Sequence, residues 1–286
     1  VGLFQPTTAP VALLKKTFHG DAFVVMASQI RAFAAATNDC GPGYQAMDPA
    51  ELEIPAIFPV RYHIGLAKQF LTEPLLSIDL LRLVHGEQEM TMIHPLRVGD
   101  IVTPKLNLVS VEEKEAGTLL SLRYRLFREG VLVHETLSRY FVRAPDRPAT
   151  PNTMKHEPEI TAPDTEVTIA VRDDQSIDYA AASLDHNPIH LDDAVAQAVG
   201  FKSKLLHGLC TLAFASQALI ATYGGGDPKR LHSIRARFAK PVFMGERLVT
   251  RLKSIREDAA KKTIKFEMVN QDQIPVLTHG LAVITA

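Results

Sequence analysis

Cysteine is nearly absent: Cys40 and Cys210 are the only two in 286 residues, and they fall in different halves of the chain. Two such thiols build no disulfide framework, which fits a reducing, intracellular compartment. An excess of charge of one sign is also missing, the formal balance being -1 at pH 7. No broad basic surface is available to gather phosphodiester polyanions, so nucleic acid is not an expected partner, and an anionic ligand must be held by local basic residues. No apolar run reaches the length of a membrane span. The opening Val1-Gly-Leu-Phe4 lacks the basic start and cleavage pattern of a secretory signal, and the closing Ile284-Thr285-Ala286 is not a peroxisomal address. The expectation is a soluble cytoplasmic protein, or a peroxisomal or mitochondrial one in a eukaryote. Hydrophobic residues at 46% against charged residues at 22% supply a sizeable core, and the length exceeds one average domain.

What the chain does have is a proline-rich interruption. Ala144 to Pro163 carries Pro145, Pro148, Pro151, Pro158 and Pro163 with little apolar content, a composition for an extended, exposed linker. It divides the chain into 1–143, 144–163 and 164–286. At a shift of 146 residues, Ala35-Ala-Thr-Asn-Asp39 falls on Ala181-Ala-Ser-Leu-Asp185, Gln29 on Gln175, Pro42 on Pro188, Pro95 on Pro241 and Gly99 on Gly245. Gapless matches so far apart imply a duplicated fold.

Each half reads as short helices followed by strands. Leu120, Leu122, Tyr124 and Leu126 alternate with polar residues, as do Ile264, Phe266 and Met268, the period of a sheet with one buried face. Glu129-Gly130 and Asp258 to Lys262 read as hairpin turns, so the sheets are expected to be largely antiparallel. Gly208 to Tyr223 has the length and apolar content of a buried helix, and Gly224-Gly-Gly226 reads as its stop rather than a phosphate cradle, since it follows the helix. An α+β fold results, a curved antiparallel sheet wrapped on a long helix, made twice.

Reactive groups concentrate in Ser183-Leu-Asp-His-Asn-Pro-Ile-His190. Pro188 disfavours helix at Asn187, so a short helix over Ile177 to Ser183 should break there and let Asp185 and His190 face one cleft. A carboxylate and an imidazole on either side of a water can take its proton and deliver another to a substrate, with the Asn187 amide fixing the water or the carboxylate. Gly208, at the start of the long helix, would let a carbonyl oxygen approach its backbone N–H, as an oxyanion donor requires.

Tyr179 to His190, Leu206-His-Gly-Leu-Cys-Thr211 and Arg235-Ala-Arg-Phe-Ala-Lys-Pro241 together resemble the MaoC-like (R)-specific enoyl-CoA hydratases and 3-hydroxyacyl-thioester dehydratases, especially the hydratase 2 domain of peroxisomal multifunctional enzymes. Leu83-Val-His-Gly-Glu-Gln88 resembles the corresponding first half. The resemblance implies a tandem hot dog fold, with Asp185 and His190 as the catalytic pair, Asn187 as positioner and Gly208 as oxyanion donor. It implies substrate contacts at His207, Leu209, Arg235, Arg237, Lys240, His85 and Gly86. The substrate would be an acyl-CoA or acyl-carrier-protein thioester, coenzyme A entering as part of it with no other cofactor. Lys202 and Lys204 join Arg235, Arg237 and Lys240 as candidates for its phosphates. A homodimer of the tandem unit is a further expectation. The family usually has glycine where this chain has Leu184, which bears on acyl-chain preference more than on reaction type.

Gly41 and Tyr44 stand opposite Asn187 and His190 in the repeat, so the first half, although it keeps Asp39, is expected to be silent and to accommodate the acyl tail. Three other readings remain: a thioesterase with Cys210 as nucleophile beside His207 or His190, a metal site from His186, His190, Asp192 and Asp193, and a non-catalytic acyl-thioester binding protein.

Overall fold

The computed structural model describes residues 11–76, 82–144 and 159–286. Its first half runs through α1 (Val11–Lys15), β1 (Thr17–His19), β2 (Phe23–Val24), α2 (Ala27–Ala36), α3 (Ile64–Leu71), β3 (Leu83–Met92), β4 (Ile101–Lys114), β5 (Gly117–Arg128) and β6 (Val131–Arg143). The second runs through β7 (Thr165–Ala170), α4 (Gln175–Ser183), α5 (Asp193–Ala198), α6 (Gly208–Tyr223), β8 (Leu231–Phe238), β9 (Arg247–Glu257), β10 (Lys261–Asn270) and β11 (Pro275–Thr285).

The alternating runs become β5 and β10, each the middle of an antiparallel ladder. Glu129 and Gly130 both take positive φ, 49° and 81°, which gives the tight turn between β5 and β6 a twist matching its strands. The strand order is β1-β4-β5-β6-β3-β8-β11-β10-β9-β7, with β2 also on β4. Outward from the β3–β8 seam the two halves repeat one another: β6, β5, β4, β1 on one side and β11, β10, β9, β7 on the other. The seam itself is antiparallel, Gln88 opposite Ala236 and Met90 opposite Ile234, so the tandem hot dog has one continuous sheet.

The two helices inside the sheets differ. The sixteen residues of α6 include ten buried ones, and Gly224 and Gly226 both donate to the Ile220 carbonyl as the expected stop. Its counterpart α3 has only eight residues, entered from a 3-10 turn over Phe58–Tyr62 and halted before Pro74, so the long helix read for each half is present only in the second. Two apolar clusters follow. The larger packs Phe214, Leu219, Ile234 and Phe266 around α6 and draws in Phe33, Phe58 and Met90 from the first half. The smaller sets Leu66 and Phe70 of α3 against Leu120, Leu122 and Tyr124.

Reciprocal hydrogen bonds tie the halves together. Gln175 donates to the Ala36 carbonyl, and the buried Arg61 guanidinium donates to the Ala182 carbonyl, the repeat equivalent of Ala36. Most of the proline-rich segment, 145–158, lies outside the described residues. Its described end is anchored at Glu159, whose N–H donates to the Glu267 carboxylate at 2.8 Å, and at the buried Ile160, while Thr161 and Ala162 after them are exposed.

Candidate active site

Leu184 ends α4 in the left-handed conformation, φ 69°, and its N–H closes on the Ala180 carbonyl. That turn is the one glycine makes without strain, which accounts for the glycine usual at this position. The chain then leaves the helix axis at Asp185, and Pro188 starts a 3-10 turn to His190. The Asp185 carboxylate accepts from Asn187 N–H at 3.2 Å, while the Asn187 side chain, exposed, accepts from Ile189 N–H at 3.4 Å. Asn187 thus shapes the loop through its amide oxygen and holds the carboxylate through its backbone N–H.

His190 is buried, and its Nδ1 lies 2.8 Å from the Leu205 carbonyl. A carbonyl only accepts, so Nδ1 carries the proton and Nε2 of the neutral ring keeps a lone pair. Burial pushes the His190 pKa down, opposed by the Asp185 charge and the Leu205 bond. One side-chain atom from each of Asp185, His190 and His207 lies within 4.8 Å of the others, a gap that one water can bridge.

His207, placed by resemblance against the substrate, is 1% exposed and acts on the loop instead. Its Nε2 donates to the Asp185 carbonyl at 2.9 Å, and its ring stacks on His190 at 3.8 Å between centroids and tilts against Tyr179 at 4.9 Å. Burial first, and His190 second, hold it well below the ordinary histidine range, so it is a neutral strut. Gly208 follows at the first turn of α6, where N–H groups have no carbonyl within the helix to reach. A Cβ there would sit 3.0 and 3.1 Å from ring carbons of Phe238, so a side chain at this position requires that ring to shift by a few tenths of an ångström.

The first half closes the site. His85 stacks on Tyr140 at 4.6 Å and leans on Phe238 at 4.8 Å, and its Nε2 reaches Gln88 Oε1 at 3.0 Å. Burial lowers its pKa to about 4 against the pull of Gln88 and of the Asp185 charge. The same charge, after burial, raises Tyr140 to about 12. Gly86 sits at the register shift between His85 and Glu87. Tyr140, Tyr179, Phe238 and Arg61 were not singled out from sequence, although Tyr179 and Phe238 lie inside the motifs that carry the resemblance.

Other expectations are redirected. Arg235 and Arg237 alternate with buried Ile234 and Ala236 and project to the outer face of β8, Arg237 pairing with Glu87 at 3.0 Å, so neither faces the site. Leu209 is half-buried against the main core. Lys202 and Lys204 precede α6, and that loop meets the one holding Lys240 through the Leu206–Val242 hydrogen bond and the Leu205–Phe243 bridge. Asp192 caps α5 and Asp193 accepts from Lys204 N–H, so the metal set read from sequence does not assemble. The Cys210 thiol is fully buried and pushed well up by that burial, an apolar filler and not a nucleophile.

In the first half Asp39 is raised to about 6, first by burial and also by Glu53, while Gly41 and Tyr44 oppose the shift. No histidine stands there; Tyr44 fills the place of His190 and is 4% exposed.

Comparisons with known proteins bear on the family and the fold. Residues 155–273 match the MaoC like domain, and 13–136 match the FAS1-like dehydratase domain region. The chain is 31% identical over 218 residues to the probable enoyl-CoA hydratase 2 of Dictyostelium discoideum, covering 73% of this chain and 72% of that protein. It is 35% identical over 181 residues to the 3-hydroxyacyl-thioester dehydratase Y of Mycobacterium tuberculosis, 59% of this chain and 60% of that one. The crystal structure of a MaoC-like dehydratase from Phytophthora capsici superimposes with a TM-score of 0.82 over 96% of both chains at 24% identity. With its fold, its second-half match and its Dictyostelium relative in accord, the chain belongs to the MaoC-like dehydratase family.

Proposed function

We propose that the chain catalyses the reversible addition of water to a trans-2-enoyl-CoA, giving the (3R)-3-hydroxyacyl-CoA, as a hydro-lyase of fatty acyl metabolism. The observation that carries this is the His190 ring at the start of α6, fixed through Nδ1 on Leu205 so that Nε2 is free, with one of its nitrogens within 4.8 Å of an Asp185 carboxylate oxygen. A water held between the two gives a proton to one of them as its oxygen bonds to C3. The electrons of the C2–C3 double bond move onto the thioester oxygen, which the Gly208 N–H receives, and the enolate then collapses as C2 takes a proton from the protonated member of the pair. Asn187 and His207 hold the Asp185 loop from its two sides. One water is consumed, and the reaction asks for no cofactor beyond the coenzyme A of the substrate.

The acyl tail extends into the first half, and Lys202, Lys204 and Lys240, on two adjacent loops, receive the coenzyme A phosphates. Two unpaired thiols, Cys40 and Cys210, are in keeping with a reducing compartment. Among the described residues no helix is long and apolar enough to cross a membrane. Crotonyl-CoA absorbance tests the reaction: Asp185→Asn and His190→Gln should each lower kcat by about 100- to 10,000-fold. Near-normal turnover by either variant refutes the mechanism.

A further inference from the structure

The inward face of β6 is polar: His134, Thr136 and Ser138 are each at most 3% exposed, and Tyr140 continues the row. Across the sheet they stand beside Met92, Met90, Gln88 and His85 of β3 and beside Leu126, Tyr124, Leu122 and Leu120 of β5. The fold does not demand this. β11, which occupies the same place in the second half, is buried through Leu277, Thr278, Ala282 and Ile284, with one hydroxyl among them.

The polar row runs between the two apolar clusters, with Tyr124 in the smaller and Met90 in the larger. Its near end is Tyr140 and His85, where the Asp185 charge is felt. Its far end is His134, a wall of a cleft of about 260 Å³ lined by apolar residues such as Leu52 and Met92 together with His94, Lys229 and His232. Six residues of strand separate Tyr140 from His134, about 20 Å. Over the middle, His63 stacks on Tyr124 at 4.8 Å and stands 5.7 Å from His134.

Three atoms along the seam have no hydrogen-bond partner: His63 Nε2, His134 Nε2 and Tyr124 Oη, which lies near Tyr140 without a bond of good geometry. Their residues are 4%, 2% and 1% exposed. Buried polar atoms are rarely left unpaired, because the penalty exceeds what a satisfied bond contributes. Three gathered beside β6, between its Tyr140 end and the cleft at His134, are what a channel for a polar-substituted chain requires.

We propose that this seam is the acyl channel and that it selects 2-enoyl thioesters whose chain carries a neutral oxygen function, a hydroxyl or ketone, beyond the reacting carbons. The inference rests on the hydratase reading above. Burial holds His134 at about 3 and His63 well below the ordinary range, so along the seam both rings are neutral at pH 7 and offer hydrogen bonds without charge, the exposed Lys229 standing beyond them at the cleft.

The test measures kcat/KM of the full chain on crotonyl-CoA, on a plain long-chain trans-2-enoyl-CoA, and on equal-length substrates with a hydroxyl or ketone walked along the chain. At one or more positions the oxygenated substrate should exceed the plain one by at least about tenfold, since a site built to bond an oxygen rejects the analogue lacking it. Tyr124→Phe, which removes one buried oxygen, and His134→Leu should bring that ratio towards one. Equal rates at every position, or a preference that survives both substitutions, overturn the proposal while crotonyl-CoA turnover leaves the hydratase reading standing. A wild type inert on crotonyl-CoA overturns both.

Discussion

Replacing Leu184 separates backbone strain from side-chain packing at the turn that delivers Asp185. The residue has φ 69° and is 41% exposed. A left-handed backbone costs a residue with a Cβ about 1–2 kcal/mol. Glycine escapes that cost but gives back about 0.5–1 kcal/mol through its freedom in the unfolded chain. Both Leu184→Ala and Leu184→Gly lose the packing of the buried part of the side chain, about 1 kcal/mol. The packing loss cancels between them, so glycine should be the more stable by about 0.8 kcal/mol. Alanine should stand about 1 kcal/mol below wild type and glycine about level with it. Urea unfolding at unchanged slope reads the difference directly, and the melting temperatures should differ by about 2 °C. An ordinary helix interior would give the opposite order, alanine above glycine. Alanine equal to or above glycine at position 184 would therefore refute the strained-turn account.

Gly208→Ala forces a methyl against Phe238, which leans on His85, so kcat/KM for crotonyl-CoA should fall by at least about tenfold; unchanged steady-state rates would remove Gly208 from the oxyanion site. The acid limb of the pH–rate profile should lie below pH 6.5, because burial lowers His190 and keeps the neutral, proton-accepting ring as pH falls through that value. A limb centred above 6.5 would contradict it. Asp39 has the reverse sign: its folded pKa of about 6 exceeds 3.8, so ionising it as pH rises through that window destabilises the fold. Asp39→Asn should gain on the order of 2 kcal/mol above pH 6, allowing for partial exposure, and nothing below 3.8, with crotonyl-CoA turnover retained; calorimetric melts at both ends of the range check this.

Local pattern carried the strands, the α6 helix and its stop, and the Asp185–His190 loop, because each depends on residues a few positions apart. Arg235 and Arg237 could have been read correctly from the same alternation: Ile234, Ala236 and Phe238 share one face, and the arginines must take the other. The short α3 was legible in Pro74, which ends it. What local pattern could not supply is partnership across the seam. His85 meets the Asp185 field only because β3 pairs with β8, and the edge a strand chooses is set by the whole sheet. The polar row of β6 was masked for a related reason: its neighbours Glu135, Leu137, Arg139 and Phe141 mix charge with hydrocarbon, so neither face stands out as inner. Arg61 gave no signal, since its partner is a backbone oxygen 121 residues away.

Fusing the two sheets in one polypeptide has an evolutionary consequence. In a symmetric pair of identical subunits every substitution appears twice, so a change that suits the tail of a substrate also alters the place where its bond reacts. Here the counterparts diverge independently: Arg61 stands where the other copy has His207, and Tyr44 where it has His190. Residues of one half can therefore change while their counterparts in the other stay as they are, a freedom closed to a pair of identical subunits.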